Sequence, residues 1–201
     1  MNDSNLFRYG GGAAILLAVL FPIYWLYVLT IGVSGEAGIW GDFQTLNGWD
    51  ALFVLIGALE IFVYLVLRKY LSHHLNAGLL SALLWVMIGL VAIFHGFVVV
   101  DIALATGLFS AYEDALIASA MAGSLTVLFL FALVSLIFAI ALLTQFSSLP
   151  TLIKVFSIGL IVVALMQLTV ILGVVNIVLF PILILLLAIQ FLRGEQSVEV
   201  V

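Results

Sequence analysis

Residues 49–74 read WDALFVLIGALEIFVYLVLRKYLSHH: an apolar run with one carboxylate, Glu60, near its middle and Arg68-Lys69 at its foot. An ionised carboxylate at bilayer depth is expensive, so such a group faces protein or a water-filled cavity rather than lipid. The basic pair sets direction, because Lys and Arg collect on the cytoplasmic side of membrane helices. This one stretch therefore reads as a membrane span with a functional candidate inside it.

The rest of the chain agrees. Of 201 residues, 67% are hydrophobic and only 7% charged, and the mean hydropathy is +1.45. Soluble domains carry about 45–50% apolar and about 25% charged residues, so the solvent here is lipid. The net charge of −5 argues against nucleic acid, whose phosphates need clustered Lys and Arg. Without cysteine there is no disulfide, thiolate nucleophile or iron–sulfur ligation.

Outward from residues 49–74, the apolar runs predict an all-α polytopic bundle of six transmembrane helices in a single domain, residues 1–201. The expected spans are 13–33, 49–67, 77–108, 115–143, 152–173 and 176–192. The last two come from 41 nearly uninterrupted apolar residues, 152–192. As one helix these would extend about 61 Å, twice the hydrocarbon thickness, so a turn is expected at residues 173–176. A retained first helix is favoured over a signal peptide, whose apolar core runs only about 7–15 residues. With six spans, all five bases (Arg8, Arg68, Lys69, Lys154, Arg193) fall on one side. Glu36, Asp42, Asp50, Asp101, Glu113 and Asp114 fall on the other, leaving Asp3, Glu195 and Glu199 with the bases. This division places both termini in the cytoplasm and the protein in the plasma (inner) membrane.

Residues 34–48 are expected to form a Gly-rich outer loop whose Trp40 and Phe43 turn back onto the membrane or the bundle. Tyr24, Trp25 and Tyr27 are expected as an interfacial belt. Gly10, Ala14 and Ala18 form a small-residue stripe suited to close helix contact, and so do Gly89, Gly96, Ala103 and Gly107. The second stripe is expected to admit another helix, within the bundle or across a dimer seam, with Ala115, Ser119, Ala122 and Thr126 favouring an internal partner.

On a helical wheel Asp50, Gly57, Glu60, Tyr64 and Arg68 share an arc of about 80°, with Gly57 admitting a neighbour beside the carboxylate. Glu60 is a candidate ion or proton site, with His95, Tyr64 and Asp50 as companions. The plainer reading is a neutral Glu hydrogen-bonded between helices. Depths counted from Trp49 and Ala77 set Glu60 and His95 apart, so a relay would need water or Tyr64 between them. The plainer reading of His95 is a structural histidine bonded to a backbone carbonyl. Adjacent His73 and His74 diverge on a helix, and neither a metal site nor a cofactor is expected.

Gly32-Val33-Ser34-Gly35 is similar to the Gly-x-Ser-Gly of rhomboid-type intramembrane proteases. In that family, however, the serine begins a helix and pairs with a later histidine, whereas here the motif ends a helix. No enzyme is expected. The first functional reading is a small cation or proton channel or transporter using Glu60, with the outer acids Glu36, Asp42, Asp101, Glu113 and Asp114 concentrating cations. The alternative is a non-catalytic subunit packed against a larger membrane partner, a second copy or lipid. The third is a small-molecule-binding uptake component, resembling small six-helix vitamin-uptake subunits in size and helix count.

Overall fold

The computed structural model describes residues 3–75, 78–169 and 171–193. Glu195, Glu199 and Ala77 fall outside these residues, as do the side chains of Glu36 and His74. The chain is all-α: α1 (Asp3–Val33), α2 (Gly35–Phe43), α3 (Gly48–His74), α4 (Gly78–Gly96), α5 (Val98–Ala105), α6 (Glu113–Leu143), α7 (Thr151–Leu168) and α8 (Asn176–Arg193). Among the described residues, six helical segments are long and apolar enough to cross a membrane: α1, α3, α4 with α5, α6, α7 and α8. The protein is an integral membrane six-helix bundle.

The spans form a ring in chain order. Each packs on its sequence neighbour, and α1 closes the circle against α8. Small residues set this closure. A Cβ on Gly10 would sit 2.6 Å from Val66 Cγ1 on α3, and one on Gly11 would sit 2.6 Å from Leu192 Cγ on α8. Ala14 and Ala18 continue the buried face, so the first predicted stripe is a packing surface. At the basic end Phe7 meets Tyr70 edge-on at 5.8 Å and stacks near Phe191 at 6.4 Å. Gln190 Nε2 donates to Tyr70 Oη at 3.0 Å.

Several boundaries differ from expectation. Helix α1 begins at Asp3 rather than near residue 13, because Phe7 packs into the core and Asp3 lies 3.5 Å from Lys69 Nζ. Helix α3 continues past residue 67 to His74. On its last turns Arg68 Nε donates to Ser81 Oγ at 2.7 Å, and the guanidinium lies over Trp85 at 4.8 Å. The span expected over 77–108 breaks at Phe97 into α4 and α5, and Gly107 then turns the chain with φ +70°. Pro181 lies inside α8, which runs on to Arg193. The predicted turn between the last two spans is present as a 3-10 segment, Ile171–Val175. Asn176 Nδ2 staples it by donating to Val163 O at 3.0 Å and to Gln167 Oε1 at 3.1 Å.

The expected outer loop is largely helix α2. It is fastened across the acidic end of the bundle by Trp40 Nε1 donating to Asp114 Oδ1 at 3.3 Å and by Gln44 Nε2 donating to Glu113. Tyr27 Oη donates to Asp42 Oδ1 at 2.7 Å while its ring stacks on Trp49 at 4.1 Å. Tyr24, Trp25 and Tyr27 are thus turned to protein partners rather than forming a lipid belt.

The second glycine stripe is also corrected. A Cβ on Gly89 or Gly96 would meet nothing within 4 Å, and Ala115, Ser119, Ala122 and Thr126 are exposed as well. Both rows face outward. At 100° per residue Gly89 lies about 120–160° around the helix from the core-facing Leu84, Met87, Val91 and His95, and those larger residues take the interior.

Candidate functional site

The polar face of α3 is its seam with α4. Gly57 is the key to this seam: a Cβ there would lie 2.6 Å from His95 Cδ2 and 2.8 Å from His95 Cβ. The approach predicted at Gly57 is made by His95 itself. The imidazole rests on Phe53, with centroids 4.2 Å apart, and its Nε2 lies 3.9 Å from Glu60 Oε2. The expected depth difference was an artefact of counting from opposite ends of the two helices. From their shared turn, Glu60 stands about 21 Å above His74 and His95 about 25 Å above Gly78 at 1.5 Å per residue.

Tyr64 Oη donates to Glu60 Oε1 at 2.8 Å, one helical turn along α3. Tyr64 is therefore on the far side of the carboxylate from His95 and does not bridge the two. All three are buried. The 3.9 Å contact is too long for a direct hydrogen bond, yet close enough for strong electrostatic interaction away from water. His95 Nδ1 has no hydrogen-bond partner, so the carbonyl-bonded structural histidine is not what is found.

Glu60 and His95 lie on the wall of a cavity of about 270 Å³ that draws residues from all six spans. The lining residues belong mainly to the half of the bundle nearer the acidic end. Aromatic rings stand among a mainly aliphatic lining: Phe21, Tyr24 and Trp25 from α1, Phe53 from α3, Phe94 from α4, then Phe131 and Phe180 from α6 and α8. Leu29, Leu125 and Val174 line it and are themselves exposed, which marks its opening. Toward the basic end the bundle is closed by fully buried Leu67, Leu84, Leu142, Ile153 and Leu187. A void of about 10 Å³ lies there, beside Tyr64 and Phe138, roughly one water's worth of space.

The remaining predicted residues fall elsewhere. Asp50 is a helix cap: its Oδ2 accepts from Asn47 N at 2.6 Å, while Asn47 Oδ1 accepts from Trp49 N at 2.7 Å. It does not line the cavity. Asp42, Glu113 and Asp114 hold α2 in place, and Asp101 on α5 is half-buried with Oδ1 enclosed and unpartnered.

The other helices of the ring contribute three cavity residues not anticipated as site residues: Ser135 on α6, Gln167 on α7 and Asn176 on α8. Gln167 and Asn176 were visible only as polar interruptions in a 41-residue apolar run, and Ser135 as a lone hydroxyl within one. No family model matches the chain, and no curated protein or solved structure matches it significantly. The site's own chemistry is thus the basis for a functional reading.

Proposed function

We propose that this membrane protein is a small transporter for a cation or proton, with Glu60 as the exchanging group. The carrying observation is the buried pair itself, Glu60 and His95 at 3.9 Å on the wall of a six-helix cavity. Intramembrane ionisable residues mark ion and proton paths. Tyr64 holds one carboxylate oxygen and leaves the other facing His95, where charge on either ring or carboxylate alters the other. The cavity opens toward the acidic end and is sealed below, which favours a carrier that changes shape over a continuous pore. Its aromatic wall disfavours fully hydrated inorganic ions. In this proposal the basic end faces the cytoplasm of an inner membrane, following the positive-inside rule, and the protein performs no covalent catalysis.

The test is proton and monovalent-cation flux in liposomes. Glu60→Gln keeps the shape and a hydrogen-bonding amide but cannot release a proton, so flux should vanish while thermal unfolding stays close to wild type. Equal, nonzero flux from both proteins removes Glu60 from the mechanism. No flux from the wild type overturns the transport reading in favour of a non-catalytic subunit.

A further inference from the structure

Among the described residues, four buried side-chain polar atoms have no hydrogen-bond partner, and three of them belong to this cavity: His95 Nδ1, Ser135 Oγ and Asn176 Oδ1. Their residues are 9%, 2% and 6% exposed. Unpaired buried polar atoms are costly, so three lining one cavity, on α4, α6 and α8, indicate a site shaped for a polar guest. Each has a defined character. Both Asn176 amide hydrogens point to acceptors, one of them the backbone carbonyl of Val163, so Oδ1 is fixed as an acceptor that needs a donor. Ser157 on α7 bonds back to Ile153 O at 2.7 Å, the usual outlet for a helical serine, whereas Ser135 makes no such bond.

We propose that the cavity binds a small primary amine with an apolar, preferably aromatic, body and a hydroxyl at its other end. This rests on the reading of Glu60 as a cation site and names the cation. The ammonium sits at Glu60 Oε2, the carboxylate oxygen that Tyr64 does not occupy. Phenylalanine and tryptophan rings receive the apolar body and favour a nearby cation through their faces. The hydroxyl donates to Asn176 Oδ1 and accepts from Ser135. An anionic guest is disfavoured by Glu60, and a purely apolar one leaves Ser135 Oγ and Asn176 Oδ1 unsatisfied. At about 270 Å³ the space is just below the range typical of drug-sized ligands, about 300–1,000 Å³, which limits the guest to a compact molecule.

The experiment uses the purified full chain in detergent, with tyramine as probe and phenethylamine and 3-(4-hydroxyphenyl)propionate as comparators. Binding is followed by quenching of tryptophan fluorescence, since Trp25 lines the cavity, and by calorimetry. Tyramine should bind saturably and the propionate should not. Glu60→Gln should weaken tyramine roughly tenfold or more through loss of a charged hydrogen bond. Ser135→Ala should erase the preference of tyramine over phenethylamine while leaving phenethylamine unchanged. Absence of saturable tyramine binding into the millimolar range, equal binding by Glu60→Gln, or equal binding of the propionate overturns the proposal. Proton flux abolished by Glu60→Gln without amine binding would defeat this inference and leave the transport reading standing. Amine binding without any flux would do the reverse.

Discussion

Gly57→Ala is a small change at the place where α3 and α4 are closest to the carboxylate. The added methyl would lie 2.6 Å from His95 Cδ2, about an ångström inside the usual carbon–carbon separation of about 3.5–4.0 Å. His95 has little room to retreat, being buried and held between Phe53 at 4.2 Å and Phe94 at 5.3 Å. Overpacking of this kind costs about 1–3 kcal/mol, while replacing a helical glycine by alanine returns up to about 1 kcal/mol of propensity. Gly89→Ala on α4 supplies the control, because its Cβ meets nothing within 4 Å. The propensity term cancels between the two variants, leaving a gap of about 1–3 kcal/mol, or roughly 2–12 °C in Tm for a chain of this size. Thermal unfolding in detergent measures it. A double-mutant cycle with His95→Ala assigns it: removing the imidazole relieves the 2.6 Å contact, leaves the 2.8 Å contact with Cβ, and should lower the Gly57→Ala penalty. Identical melting of Gly57→Ala and Gly89→Ala, or a penalty unchanged in the His95→Ala background, would refute the reasoning.

Asn47→Ala should lower stability by about 0.5–2 kcal/mol through loss of the capping box at the start of α3, measurable by denaturant titration. For orientation, the cysteine-free chain permits single cysteines at Asp42 and Ser72. An impermeant thiol reagent applied outside intact cells should label the first and not the second, and the opposite pattern would invert the proposed topology.

The number of spans could be read from residues alone because lipid imposes a length on each helix. The turn between the last two spans was readable for the same reason: 41 apolar residues have to fold back. What escaped was everything decided by side-chain contact between distant segments. Gly89 and Gly96 form a small-residue stripe as Gly10 and Ala14 do, yet the first pair faces outward while Gly10 is wedged against Val66 and Ala14 is fully buried. Periodicity gives a face but not which way that face turns. Glu60 and His95 were both recognised as candidates, but their meeting depended on helix register across the α3–α4 turn. Ser135 and Asn176 acquire meaning only through what surrounds them: a serine whose usual backbone bond is unmade, and an amide whose two hydrogens are already committed.

The closure of the ring by α1 and α8 has a consequence for assembly. Five of the six seams join neighbours in the chain, so they can form as successive hairpins enter the bilayer. The sixth joins the first span to the last. Until α8 has been made and inserted, Ala14 and Leu17 lack their completed surroundings, and the cavity lacks the wall that carries Asn176 and Phe180. The binding chamber therefore comes into being in a single late event during synthesis. A chain stopped after α7 would retain Glu60, His95 and Tyr64 in a five-span assembly without an enclosed site around them.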